Sequence, residues 1–116
     1  MRVLDLGSAA DARQRWGEFL EQLVEAGVQI SRGRVALPKG RGFFGREVWP
    51  TNHMLLVVKG GGSASGGEGA AVAVSEGQVV FWQAEEWYSF EVPEPTSFEG
   101  LRVEGDDLNP DVFVRM

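Results

Sequence analysis

His53 is the only histidine in a chain of 116 residues that also lacks cysteine. Its imidazole is therefore the one side chain that can act as a base near neutral pH or offer nitrogen to a metal. Without thiols there is no disulfide framework, thiolate zinc site, iron–sulfur cluster or cysteine nucleophile. A serine nucleophile served by His53 lacks its usual frame, since the chain has no GxSxG turn. Glu85 and Glu86 are adjacent, so on a strand they point to opposite faces and do not form a paired acid and base.

Arg32, Arg34, Lys39, Arg41 and Arg46 form a basic run with no acid between Ser31 and Arg46. Two of these arginines turned inward would grip a carboxylate or phosphate. Turned outward, they make a solvated face that pairs with the acidic C-terminal half. Residues 1–46 hold eight basic and five acidic groups, against three and twelve in residues 47–116. The glycine-rich stretch Gly60 to Gly69 is followed by alanine and valine. It therefore lacks the lysine or helix start that a phosphate cradle needs and reads as a mobile loop between two strands.

These groups must be positioned by short elements. Residues 8–27 read as a helix, with Ser8 as N-cap, Asp11 three residues on and Gly27 as the left-handed stop. Trp16, Phe19, Leu20, Leu23 and Val24 recur on one face. That face packs on a sheet or meets a second subunit. Strands are predicted at Val28–Ile30, Arg34–Leu37, Phe43–Trp49, His53–Lys59, Ala70–Val74, Gln78–Trp82, Glu86–Val92, Ser97–Val103 and Val112–Arg115. Many short strands with regular turns indicate a sandwich or barrel in a single domain, 1–116. The longest apolar run, Met54 to Val58, is five residues, against the roughly 20 of a membrane span. No secretory h-region stands at the N-terminus, so a cytoplasmic protein away from membranes is expected. The net charge of −6 argues against a nucleic-acid partner.

Two stretches, residues 34–62 and 77–90, together resemble the cupin superfamily. Leu37, Pro38, Lys39 and Gly40 look like its first turn, and Val57, Val58, Lys59 and Gly60 like the end of its first motif. Gly77, Val79, Val80, Phe81 and Trp82 keep the strand of the second motif. Gln83, Glu85 and Tyr88 stand where proline, glycine and histidine are usual. The resemblance covers about residues 28–104 and implies a mostly β, cupin-type jelly-roll barrel or sandwich with one N-terminal helix. Small cupins are often dimers, so it also implies a homodimer.

Counting back from Gly60, the resemblance implies that the family's three histidines and one glutamate are replaced by Glu47, Trp49, His53 and Tyr88. A one-residue shift in the turn would bring Arg46 and Val48 to the first pair instead. His53 and Glu47, with Tyr88 or water, are the remaining metal donors, favouring zinc, iron or manganese by type. Two good ligands are too few for firm binding, so no cofactor is expected, with a divalent transition metal as the alternative. Alternation places His53, Leu55 and Val57 on one face of their strand and Met54, Leu56 and Val58 on the other, a strand buried on both sides. Tyr88 shares a face with Phe90 and Val92. Glu47, Trp49, His53, Trp82, Tyr88 and Phe90 are thus the candidate ligand-binding residues. Their rings either line a small-molecule pocket or fill the barrel.

Three functions compete. The first is a binding or sensor-type module for a small organic molecule, its metal site lost. The second is a small cupin enzyme, an isomerase or epimerase or a metal-dependent dioxygenase, with His53 and Tyr88 as acid–base pair and Glu47 beside them. The third is an interaction protein using the helix or the glycine-rich segment. Cavity volume separates the third from the other two.

Overall fold

The computed structural model describes residues 1–38, 42–67, 69–93 and 97–111. Strand β1 (Arg2–Asp5) leads into helix α1 (Ala9–Glu25). Then come β2 (Ser31–Leu37), β3 (Phe43–Val48), β4 (His53–Lys59), β5 (Gly61–Gly66), β6 (Val72–Ser75), β7 (Gln78–Trp82), β8 (Trp87–Glu91) and β9 (Phe98–Glu104). They form a five-stranded sheet, β1-β7-β4-β9-β2, and a four-stranded sheet, β3-β8-β5-β6. All pairs are antiparallel. The sheets face each other across a core that draws Leu55, Val80 and Trp82 from one and Ala64, Tyr88 and Phe90 from the other. This is the mostly β jelly roll with one N-terminal helix that the sequence led us to expect. Lys39, Arg41 and the strand expected at Val112–Arg115 lie outside the described residues.

Helix α1 starts and stops by local chemistry. The Ser8 hydroxyl accepts a hydrogen bond from the Asp11 N–H at 3.2 Å. At the other end Gly27 takes φ +76°, and the Val28 N–H donates to the Leu23 carbonyl at 3.0 Å, closing the last turn. Ala12, Trp16, Phe19, Leu20 and Leu23 are buried against Met54, Leu56, Val79, Phe81 and Val103 of the five-stranded sheet. Of the two expectations for this face, covering the sheet is the one realised. Val24 departs from it at 57% exposed, because it falls beside the apolar stripe.

Strand β4 is buried on both sides as the alternation required. Met54 and Leu56 belong to the layer under α1, whereas Leu55 and Val57 belong to the barrel interior.

The glycine-rich segment corrects the sequence reading. Gly61–Gly66 is a strand, not a mobile loop, and pairs with β6 on one side and β8 on the other. Its composition follows from what faces it. A Cβ on Gly62 would lie 2.2 Å from the Glu91 carbonyl oxygen and 2.7 Å from Phe90 Cε1. Only a residue without a side chain lets the aromatic ring and this backbone approach so closely. β1, also absent from the prediction, is a four-residue strand paired with β7. Val28–Ile30 carries no strand, and the expected β2 is longer, starting at Ser31.

Candidate functional site at one end of the barrel

Register brings the candidate residues together. His53 is paired with Trp82 on one side and with Glu104 on the other. Arg102 is paired with Leu55, so its side chain shares the inward face of the sheet. Across the barrel Glu47 is paired with Tyr88. Glu47 reaches that position through a bulge, since the β3 register shifts between Gly45 and Glu47, with Gly45 at φ +88° and Arg46 at φ +60°. Bulges of this kind re-aim a side chain. Gly45 is also required by contact, because a Cβ there would stand 2.6 Å from the Tyr88 ring.

Four rings form one cluster. The His53 imidazole stacks on Trp82, with centroids 5.0 Å apart and planes inclined by 21°. Tyr88 meets His53 edge-on at 4.5 Å, and Trp49 lies 6.0 Å from His53 and 6.1 Å from Tyr88. His53, Trp82 and Tyr88 are buried, so deep in this end the rings fill the barrel. Phe90 belongs to the same core as Trp82 and Tyr88 and packs 4.9 Å from Phe98. Trp49 is half-buried and lines a groove of about 350 Å³ with Gln29, Ile30, Thr51 and Glu104. Glu47 is exposed and accepts a hydrogen bond from the Tyr88 hydroxyl at 3.3 Å.

The proton positions follow from these partners. His53 Nδ1 lies 3.4 Å from the Thr51 carbonyl oxygen, which can only accept, so Nδ1 carries the proton and Nε2 presents a lone pair. Burial lowers the His53 pKa from 6.5 to about 4, and Arg102 pushes the same way, against the Thr51 carbonyl and Glu104. The imidazole is therefore neutral at pH 7. Burial raises the Tyr88 pKa, and the Glu47 carboxylate adds to this against the pull of Arg102. The phenol keeps its proton. His53 Nε2 is buried and has no hydrogen-bond partner among the described residues.

Two residues of the site were not anticipated. Arg102 stacks on Trp49, its guanidinium carbon 4.4 Å from the ring centroid. Glu104 accepts a hydrogen bond from the Trp49 indole N–H and another from the Thr51 hydroxyl at 3.4 Å. In the run Leu101, Arg102, Val103, Glu104 the alternation separates two faces. It cannot tell that the polar face is the inner one.

The other sequence candidates fall elsewhere. Arg34 pairs with Glu99 and Arg46 with Glu91, at 3.0 Å. Both pairs are on the surface, as the solvated reading of the basic run expected. Arg32 lines a groove beside α1 with Leu20 and Val24. The inward, anion-gripping reading of Arg32, Arg34 and Arg46 is thus set aside. Glu85 and Glu86 lie in a turn, not on a strand. The Glu86 N–H donates to the Gln83 carbonyl at 3.2 Å, and Glu85 has φ +69°. A left-handed residue stands where the resemblance expects glycine, so the turn's shape persists without its usual residue.

A transition metal does not fit this end of the barrel. No group of three histidine, aspartate or glutamate side chains that could hold one occurs among the described residues. The one imidazole is ringed by Trp49, Trp82 and Tyr88, and the nearby Arg102 guanidinium would repel a cation.

Comparison with known proteins places the architecture. No family model matches the chain, and no curated protein matches it in sequence. Solved structures do match in shape. An RmlC-like cupin with a double-stranded β-helix fold from Methanocaldococcus jannaschii superposes with TM-score 0.60 at 14% identity, over 66% of this chain and 70% of that one. The cupin domain of Cnp3 from Schizosaccharomyces pombe gives 0.59 at 12% identity, over 67% of this chain and 56% of that one. The DMSP lyase DddQ from Ruegeria pomeroyi gives 0.58 at 15%, over 69% of this chain and 40% of that one. The two facing antiparallel sheets and these superpositions agree with the motif frame at residues 34–62 and 77–90, and the chain accordingly has the fold of the cupin superfamily.

Proposed function

We propose that the protein binds a small organic molecule at the Trp49 end of the barrel, in a sensor-type or accessory role and without a metal. The observation that carries this reading is the buried, unpartnered Nε2 lone pair of a neutral His53. Buried acceptors in folded proteins are nearly all satisfied, and one left free inside an aromatic cluster is suited to a ligand's donor. The groove that Trp49 lines adjoins the ring cluster, and in this reading a ligand enters there as the indole turns aside. A homodimer and a cytoplasmic location complete the proposal. Exposed Val48 and Trp87, paired across β3 and β8, offer an apolar surface to a second copy. No helix among the described residues is long and apolar enough to cross a membrane.

The test has two parts. Protein purified without chelator or nickel should carry metal well below one per chain. A thermal-shift screen of small polar aromatics should then find compounds that raise Tm in the wild type and less in His53→Gln. Stoichiometric iron, zinc or manganese would overturn the metal-free reading, and a screen in which His53→Gln responds as the wild type does would remove His53 from the site.

An acid–base enzyme is the second reading, favoured by the 4.5 Å approach of the Tyr88 and His53 rings. A neutral imidazole and a protonated phenol are the right states for base and acid. Tyr88→Phe separates the two: a binding protein keeps most of its affinity, whereas an enzyme loses turnover while still binding.

A further inference from the structure

We infer that Arg102 is the anchor for a carboxylate on the ligand, and that Trp49 and Glu104 together cover it in the free protein. The inference rests on the binding reading above and names the class of ligand.

Arg102 Nη2 is buried and makes no hydrogen bond within the described residues. The Arg102 side chain as a whole is 22% exposed, but a charged N–H donor left buried without a hydrogen bond is costly. Glu104 Oε2 is 3.9 Å away, too far for a hydrogen bond. That same oxygen already accepts from the Trp49 indole and the Thr51 hydroxyl. Glu104 therefore offsets the charge of Arg102 without filling this donor, and although the Tyr88 hydroxyl also meets the guanidinium, Nη2 stays available for a carboxylate.

The cover is a single linked unit. Trp49 lies over the Arg102 guanidinium and donates to Glu104. When the indole swings into the adjoining groove, Glu104 loses that donor and turns to solvent with it. Its side chain is already 29% exposed. The backbone need not move, because the Trp49 carbonyl remains tied to the Glu85 N–H at 2.8 Å. The negative groups at this end, Glu104 and exposed Glu47, would repel an anion held against the closed form. Only removal of Glu104 from the guanidinium resolves that conflict.

The experiment uses formate, acetate, benzoate and phenylacetate, their neutral amides, and benzylamine, read by thermal shift and by tryptophan fluorescence. Carboxylates should raise Tm and change the emission, their amides should not, and Trp49→Phe should abolish the emission change. Arg102→Gln should weaken benzoate by about tenfold or more. Glu104→Gln, which removes the competing charge and leaves the guanidinium in place, should tighten it. Amides binding as well as carboxylates would overturn the carboxylate anchor while leaving the binding reading intact. Preference for benzylamine would assign the site to the glutamates instead. Failure of every probe to shift Tm would overturn the anchor, and the broader screen of the wild type against His53→Gln then decides the binding reading separately. Looser benzoate binding by Glu104→Gln would overturn the covering role.

Discussion

The two sides of β4 have been put to different uses. Beneath α1 its side chains meet Trp16, Phe19 and Leu20 in a layer whose buried members are all hydrophobic. On the barrel side the same strand begins with His53, followed by Leu55 and Val57. There the neighbours are rings, a guanidinium and a carboxylate, and two buried nitrogens have no hydrogen-bond partner among the described residues. The outer layer is what a small domain needs to be stable. The inner end keeps unmet hydrogen-bonding capacity at a cost in stability, and such groups belong at sites that meet something else.

Several substitutions would break or sharpen this contrast. The largest effect is expected in the outer layer, where Phe19→Ala should cost about 3–5 kcal/mol in urea denaturation. Surviving folded protein should still respond to carboxylates, and loss of that response would show that the two sides are not separable.

The inner end should respond to acid. The unfolded chain takes up a proton on His53 near pH 6.5 and the folded chain only near 4. The contribution of His53 to stability is therefore complete above pH 6.5 and declines as pH falls toward 4, by about 3 kcal/mol at most. Denaturation curves across that range should flatten in His53→Gln, and an unchanged slope would remove His53 as the cause.

Gly62→Ala should cost about 1–3 kcal/mol, because the new methyl group meets the Glu91 carbonyl and the Phe90 ring. A neutral result would mean that β5 is more loosely held than its two partner strands imply. The smallest effect is a gain. Glu85→Gly should stabilise by about 0.5–1 kcal/mol, as relief of the left-handed backbone at φ +69° outweighs the entropy of glycine.

Much of the fold was legible before the structure. Ser8 and Gly27 bound the helix because capping is local chemistry, and β4 and β7 were read to their end residues because their apolar runs are bounded by turns. That Trp49, His53, Trp82 and Tyr88 could gather at one end was implied by the family resemblance, and alternation added only which strand face His53 and Tyr88 share with their neighbours. β5 was missed because glycine and serine signal a loop unless the bulk opposite them is known. β1 was missed because four residues are too few to show a period.

The sequence by itself determined that the chain has one imidazole and no thiol, that a helix precedes a run of short strands, and that β4 is apolar on both faces. These are properties of composition and of spacing along the chain. The tertiary structure decided that Arg102 and Glu104 face inward and that Arg34 and Arg46 do not. It also decided that Glu47 is turned toward Tyr88 by a bulge and that Trp49 closes over the guanidinium. Strand periodicity distinguishes two faces of a sheet but carries no sign for which one is enclosed. That sign is set only when the second sheet closes over the first.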